Sequence, residues 1–347
     1  MPNTNSRRDF LRKAASSVAL GPMALGASEE TSHGRLEDIP ELFEGLPGDT
    51  AFKIFAPAAR GRNKILVQAN SDKMLFVASA IKTFVLCESL RQVDAHDVVE
   101  KLEAKKLVLD STVWSFGSPT LNDFNPPGPG LSGLVSERTT LEAMITRSDN
   151  TATDMLLKLA GVANVRRFIA ESGLRRTLVP DSTRAFTGYV FGAEDYLTLT
   201  WERLQEVVQG PLEHPFLNDV ETLASSADDL VSYYSRALQG AFFEHRETLN
   251  EFRRILTLCD FIYLVPLPLG ISAYAKSGNA DTEGFHARCI AGGMFFSDQW
   301  VYFAFVINWF AEAPTDPDTV DRFFAAIHKA LEIVKRRRSA EDQEDQV

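Results

Sequence analysis

The chain has few cysteines and lacks the residue pairs that commonly bind zinc. Its three cysteines, Cys87, Cys259 and Cys289, show no C-x-x-C spacing, so neither a zinc ribbon nor a disulfide framework is indicated. The six histidines form no H-x-H or H-E-x-x-H pair. The sequence therefore predicts no metal site and no other bound cofactor.

Positive charge and long apolar runs are also scarce. Lys and Arg number 36 against 47 Asp and Glu, which gives a formal net charge of −11. A broad phosphate-binding surface needs the opposite balance, so nucleic acid is not expected as a partner. The apolar run from Ala14 to Ala27 is too short to span a bilayer comfortably, and no cysteine follows it to carry a lipid. We therefore expect no stable membrane anchor.

Two common enzyme motifs are missing, and a third is misplaced. No G-x-S-x-G elbow is present, which argues against an α/β-hydrolase, and there is no Walker A sequence. Gly128, Gly130 and Gly133 match the G-x-G-x-x-G dinucleotide fingerprint. No strand-like run precedes them and prolines lie among them, so we interpret this match as accidental.

The first thirty residues have the organisation of an export signal. Arg7 and Arg8 precede a short apolar run that ends in small residues. Adjacent arginines indicate a twin-arginine signal, which directs export of folded protein. The alternative is a basic N-terminal helix packed on the core. We predict a signal over residues 1–28, the twin-arginine export machinery as its partner, and a periplasmic or secreted mature protein.

The rest of the chain has the composition of a globular protein, with 45% hydrophobic and 24% charged residues. Strand-like runs occur early and late, and helical periodicity dominates between about residues 95 and 255. This order predicts an α+β fold, with an antiparallel sheet of about five strands, flanking N- and C-terminal helices and an inserted all-helical lobe. We assign residues 35–335 to one domain, with a sheet lobe (about 35–77 and 255–335) and a helical lobe (about 78–254). Residues 339–347 are predicted to be disordered.

The strongest candidate for chemistry is Ser79-Ala80-Ile81-Lys82, at the start of a mostly apolar helix. Residues three apart lie on the same helix face, so the Lys82 amine can approach the Ser79 hydroxyl. Burial favours the neutral amine, which can accept the serine proton. An S-x-x-K match alone is weak evidence, because average Ser and Lys usage gives about one in a chain this long.

Two further motifs follow in order. Ser148-Asp149-Asn150 lies between two helical runs, and Lys276-Ser277-Gly278 ends a strand-like run. Taken singly, the first could be only a helix N-cap and the second only an exposed strand end. S-x-x-K, then S-D-N, then K-[ST]-G is the signature of the penicillin-recognising serine enzymes. Over about residues 40 to 335, the chain resembles the class A serine β-lactamases and their penicillin-binding relatives, which implies a β-lactamase/transpeptidase-like fold.

The resemblance implies a role for each motif residue. Ser79 would be the nucleophile that forms an acyl-enzyme, and Lys82 would accept its proton. Ser148 would relay a proton to the leaving nitrogen, and Asn150 would bind the substrate's side-chain amide. Lys276-Ser277-Gly278 would bind the substrate carboxylate through its lysine and serine. The backbone N–H groups of Ser79 and Asn279 would form the oxyanion hole.

Strand alternation suggests that His286 or Arg288 could add positive charge to the site. The implied substrate is a small molecule that carries a carboxylate, either a β-lactam or a peptidoglycan-like compound.

The sequence departs from this family in the loop after S-D-N. Class A enzymes carry a glutamate there that activates the deacylating water, and the usual E-x-x-x-N arrangement is absent from residues 178–191. Asp181, Glu194 and Asp195 are the nearby carboxylates that could replace it. Each could equally be a loop cap or a surface acid. Acylation is therefore indicated more strongly than rapid turnover.

The leading interpretation is an exported serine hydrolase of the class A β-lactamase type. The alternative is a D-alanyl-D-alanine carboxypeptidase or an esterase on the same scaffold. A third, non-enzymatic hypothesis is a cell-wall binding module that has kept the fold and lost turnover.

Overall fold

The computed structural model describes residues 34–58, 62–116, 132–259, 267–268, 270–296 and 298–344. A five-stranded antiparallel sheet forms its centre. Its strands are β1 (Asp49–Ala56), β2 (Ile65–Ala69), β7 (Ser272–Thr282), β8 (Phe285–Phe296) and β9 (Gln299–Trp309). They lie in the order β2-β1-β9-β8-β7. Both chain ends supply strands to one sheet, which confirms the predicted fold class. The predicted export signal lies outside the described residues.

The inserted lobe is mainly helical. A 3-10 turn (Ala78–Ile81) leads into the first of its nine described α-helices, which are α1 (Lys82–Gln92), α2 (Val98–Ala104), α3 (Glu137–Thr146), α4 (Asn150–Ala160), α5 (Val162–Glu171), α6 (Thr183–Val190), α7 (Trp201–Val207), α8 (Ala227–Ala237) and α9 (Arg246–Thr257). Two short antiparallel ribbons are also present. One pairs β3 (Leu75–Phe76) with β6 (Ala224–Ser225), and the other pairs β4 (Lys106–Leu109) with β5 (Gly133–Ser136).

Helix α10 (Pro317–Glu344) and two short 3-10 helices (Leu36–Asp38 and Pro40–Phe43) contribute to the hydrophobic core on one face of the sheet. The helix continues to Glu344, so the prediction that residues 339–344 are disordered is wrong. Buried Arg338 explains the extension, because it pairs with Glu341 at 2.8 Å and donates to the Asn63 carbonyl at 2.6 Å. Within the described residues, no helix is both long and apolar enough to cross a membrane.

The sheet has a hydrophobic core on each face. Along β9, Phe303, Phe305 and Ile307 pack in the core shared with α10, and Tyr302, Ala304 and Val306 pack in the core of the helical lobe. A strand that is buried on both faces has apolar side chains at successive positions, whereas a strand buried on one face alternates apolar and polar side chains. β9 has the first pattern. The central strands are thereby fixed from both sides, which gives the edge strand β7 a rigid support.

A buried side chain joins the short strand β3 to the sheet. The Asn308 amide of β9 accepts the Phe76 N–H at 2.9 Å and donates to the Phe76 carbonyl at 2.8 Å. Phe76 stands three residues before Ser79. One side chain therefore satisfies both backbone polar groups of a buried residue and fixes the approach to the S-x-x-K turn.

Replacement of Asn308 by alanine removes both hydrogen bonds and leaves two backbone groups of Phe76 without partners. Because each unsatisfied buried group costs roughly 1–3 kcal/mol, we expect Asn308→Ala to lower the free energy of unfolding by about 2–4 kcal/mol. Urea denaturation measures the loss, with the exposed Gln209→Ala as control. Equal stability of the two variants would contradict this role of Asn308.

Candidate active site

Ser79 lies in the 3-10 turn between β3 and α1. Ala78, immediately before it, has a positive φ of 48°, a conformation that costs a non-glycine residue roughly 1–2 kcal/mol. Ser79 is partly exposed, and its hydroxyl has no hydrogen-bond partner among the described residues. A strained turn thus presents an accessible hydroxyl at the head of a buried helix.

Lys82, the first residue of α1, is fully buried. Its Nζ lies 2.5 Å from the Ser148 carbonyl oxygen, 2.7 Å from Asn150 Oδ1 and 3.2 Å from Ser148 Oγ. Two motifs that are 66 residues apart therefore meet at one amine.

The electrostatics of this position favour the neutral form of the amine. Burial lowers the pKa of Lys82 well below its usual value, and the positive charge of Lys276 lowers it further, whereas Asp149 and Asp154 act in the opposite direction. Lys82 Nζ donates to the Ser148 carbonyl, to Asn150 Oδ1 and to Ser148 Oγ. A neutral amine keeps two of these donations and can accept the Ser148 hydroxyl proton at its lone pair, so the contacts fit both protonation states.

The S-D-N motif combines a capping role with these contacts. Ser148 has a positive φ of 59°, and buried Asp149 caps α4 by accepting the Ala152 N–H at 2.6 Å. Asn150 donates its Nδ2 to the Phe116 carbonyl at 2.8 Å while its Oδ1 accepts from Lys82. The N-cap interpretation is correct for Asp149, and the residues on each side of it contact Lys82.

The third motif lies on the edge strand β7. Lys276 is buried, and its Nζ lies 3.0 Å from the Ser277 carbonyl oxygen. A Cβ on Gly278 would lie 2.1 Å from the Val77 carbonyl oxygen and 2.8 Å from the Ser79 nitrogen. Only glycine permits this backbone contact. The contact places β7 directly against the Ser79 turn.

Ser277 and Asn279 flank Gly278 on β7. The Ser277 hydroxyl is buried and has no hydrogen-bond partner among the described residues. Asn279 is exposed. The structure therefore brings Ser79, Lys82, Ser148, Asn150 and the Lys276-Ser277-Gly278 strand into one region.

A model of the β-lactamase enzyme family matches residues 41–291, which is well over half of the chain and includes all three motifs. The chain belongs to the β-lactamase enzyme family. It is a hydrolase of the β-lactamase fold. This result confirms the family that the three motifs predicted. No curated protein matches the chain significantly.

Solved structures show the same fold at low sequence identity. A class A β-lactamase from Bacteroides cellulosilyticus DSM 14838 is 15% identical, with a TM-score of 0.63 over 88% of this chain and 96% of that one. PBP-A is 18% identical, with a TM-score of 0.61 over 86% and 95%. The TLA-1 extended-spectrum β-lactamase is 15% identical, with a TM-score of 0.61 over 85% and 97%. The fold therefore resembles that of β-lactamases and of PBP-A alike.

His286 and Arg288, either of which could add positive charge to the site by strand alternation, both interact with a carboxylate at the end of β7. His286 Nδ1 lies 3.0 Å from one oxygen of Asp281, and Arg288 Nη2 lies 2.8 Å from the other. Arg288 Nη1 also donates to the Ala280 and Ala287 carbonyls. Both side chains lie next to Trp309, which belongs to the core on the α10 face. Their contacts are with this hairpin end and not with the Ser79 cluster.

The three candidate carboxylates of the loop in this β-lactamase-family chain lie away from the Lys82 amine. Asp181 pairs with Arg166 at 2.8 Å. Glu194 and Asp195 are exposed, and Asp195 lies 3.9 Å from Arg203. Thr183, in the same region, contacts the S-D-N motif, since its Oγ1 lies 3.5 Å from the Asn150 carbonyl oxygen. None of the three candidate bases contacts Lys82.

Asp154 is a residue of this site that the sequence analysis missed. It lies one helical turn after Asn150, is partly buried, and accepts the N–H groups of Thr183 at 2.6 Å and Arg184 at 3.1 Å, as well as the Ser115 hydroxyl. Burial raises the pKa of Asp154, although these hydrogen bonds favour its ionised form. Its four-residue spacing from Asn150 on α4 was the available sequence signal.

A second carboxylate holds the same loop. Glu221 is buried, and its Oε2 accepts the Asp181 N–H at 2.9 Å. Burial raises the pKa of Glu221 to about 7, and the negative charge of Asp181 acts in the same direction while the Asp181 N–H and Arg166 oppose it. The ionisation of Glu221 therefore changes near neutral pH.

The raised pKa of Glu221 makes a testable contribution to stability. The folded protein binds this proton more tightly than the unfolded chain, whose glutamates have a pKa of about 4.3. The stability contributed by the protonated form is therefore fully present below about pH 4.3 and is lost as pH rises through about 7. Glutamine does not ionise, so we expect Glu221→Gln to gain stability relative to the parent as pH rises across this window.

Thermal unfolding from pH 4 to 9 measures this difference, with the adjacent exposed Val220→Ala as control. The Val220 variant should differ from the parent by the same amount at every pH. A Glu221→Gln difference that is also constant with pH would refute the assignment.

Proposed function

We propose that Ser79 forms an acyl-enzyme with β-lactams, or with similar amides and esters that carry a carboxylate. The observation that carries the proposal is the buried Lys82 amine. It contacts Ser148 and Asn150 of the S-D-N motif and stands one helical turn from an accessible serine hydroxyl. This is the arrangement of a nucleophile with an adjacent general base.

The proton route follows from these contacts. The Lys82 amine accepts the Ser79 proton as Oγ attacks the carbonyl carbon. The C–N bond of the substrate then breaks, and the leaving nitrogen receives that proton from Lys82 through the Ser148 hydroxyl, which lies 3.2 Å from the amine. Protons are conserved in this sequence, and the product is an ester at Ser79.

The backbone stabilises the charge that develops on the carbonyl oxygen. We assign the oxyanion hole to the N–H groups of Ser79 and Asn279. The close approach of Gly278 to the Ser79 nitrogen supports this assignment, because it brings the two peptide segments together. A side chain at Gly278 would separate them.

Substrate selectivity in this proposal comes from β7. Lys276 supplies a buried positive charge, and Ser277 supplies a hydroxyl that has no partner among the described residues. A carboxylate at this position would satisfy the hydroxyl and neutralise the charge. Ligands with a carboxylate near the scissile bond are therefore preferred.

Covalent labelling tests this mechanism. With benzylpenicillin, the parent protein should gain the mass of one penicilloyl group, and Ser79→Ala should gain none. Lys82→Ala should acylate roughly 10²–10⁴-fold more slowly, because general-base assistance is lost.

Exposed residues serve as controls, and Ser232→Ala and Lys158→Ala should label like the parent. Labelling of Ser79→Ala at the parent rate would exclude this serine as the nucleophile. Failure of the parent to label would favour the alternative of a binding module without turnover.

A second candidate function is a D-alanyl-D-alanine carboxypeptidase or esterase, which a β-lactam would acylate stably. It is favoured by the positions of Asp181, Glu194 and Asp195, since none of them contacts the Lys82 cluster. Hydrolysis of an acyl-enzyme needs a base directed at water. Without such a base the adduct persists.

Nitrocefin distinguishes the two candidates. If the protein is a carboxypeptidase or esterase, colour release stops at one equivalent of nitrocefin per protein molecule. The half-life of the adduct is then unchanged in a Glu194→Gln/Asp195→Asn double variant. Sustained turnover by the parent protein would instead identify a β-lactamase. A loss of that turnover in the double variant would show that one of these exposed acids is the base.

We further propose that the paired arginines at positions 7 and 8 direct the folded protein to the twin-arginine export machinery. The periplasm or the extracellular space would then be its place of action, where peptidoglycan-like substrates and β-lactams are found.

A further inference from the structure

A cavity of about 580 Å³ lies outside the Ser79 cluster. Residues of α5 line it, together with most of residues 174–179 and of residues 219–222. None of the three catalytic motifs contributes to it. This volume is in the range of cavities that hold small organic ligands.

The lining of the cavity is largely apolar. Leu178 is 39% exposed and Val220 is 51% exposed, although both are large hydrophobic residues. Val179 and Ile169 add buried apolar surface next to them. Exposed apolar side chains that gather around a concavity indicate a site for an apolar group.

The three charged residues among those that line the cavity differ in their partners. The Arg166 guanidinium donates twice to the Val179 carbonyl, at 2.8 and 3.0 Å, and pairs with Asp181. Arg175 and Asp219 are exposed, and the described residues provide neither with an ion-pair partner. The cavity therefore offers one cation and one carboxylate that are not neutralised by the protein.

We infer that this cavity binds a short apolar peptide in its zwitterionic form. Arg175 would bind the terminal carboxylate, Asp219 the terminal ammonium, and Leu178 and Val220 the apolar side chains. A purely anionic ligand would leave Asp219 opposing it, and a purely cationic ligand would leave Arg175 opposing it. The inference does not depend on the proposed acyl-enzyme, since the two sites share no residue.

Isothermal titration of the full-length protein with the dipeptide Leu-Leu tests the inference. We expect saturable binding, and binding about three- to tenfold weaker for N-acetyl-Leu-Leu and for Leu-Leu-amide, each of which lacks one charge. Gly-Gly, which lacks apolar side chains, should bind most weakly.

Two charge variants assign the groups. In Arg175→Gln, Leu-Leu and Leu-Leu-amide should bind equally, and in Asp219→Asn, Leu-Leu and N-acetyl-Leu-Leu should bind equally. Arg176→Gln is the control, because Arg176 is an exposed neighbour that does not line the cavity. It should bind all the peptides as the parent does.

Several outcomes would overturn the inference. One is the absence of saturable Leu-Leu binding. Another is that both charge variants still discriminate Leu-Leu from its acetylated and amidated forms as the parent does. A third is that Arg176→Gln loses this discrimination as much as the charge variants do. A loss of binding in Ser277→Ala, with normal binding in Arg175→Gln, would place the peptide in the active site instead.

Discussion

The burial of the Lys82 amine is the constraint around which this region of the structure is arranged. An ammonium group removed from water is costly unless it is neutralised or fully hydrogen-bonded. Here the Ser148 carbonyl, the Ser148 hydroxyl and Asn150 Oδ1 surround it, and Lys276 lies close enough to disfavour a second positive charge. Burial and this neighbouring charge thus lower the pKa of Lys82, which favours the form that can accept a proton.

The sheet makes this burial possible by holding distant segments together. Asn308 fixes the peptide of Phe76, and Gly278 lets β7 lie directly on the Ser79 turn. Hydrophobic cores on both faces keep the strands in place. Small local features, one amide side chain and one missing Cβ, therefore set the relative positions of residues that are about 200 positions apart in the chain.

The loop from residue 178 to residue 184 is held differently from the motifs. Its anchors are carboxylates: Asp154 binds the Thr183 and Arg184 amides, and Glu221 binds the Asp181 amide. Glu221 is buried and Asp154 is partly buried, and burial raises the pKa of each. Asp181 pairs with Arg166, and Glu194 and Asp195 are exposed, so none of these three loop acids contacts the Lys82 amine.

Sequence alone determined the order of the three motifs and the early and late strands of one sheet, and the family resemblance carried by the motifs implied the β-lactamase-type fold. The motif order and the strands depend on local spacing and on hydrophobic periodicity, which a chain displays without being folded. Only the tertiary structure decided that Asp181 pairs with Arg166, that Arg288 and His286 share Asp281, and that Asp154 anchors the loop. A carboxylate's partner is set by which side chains packing brings within about 3 Å, and neighbours in space are not neighbours in the chain.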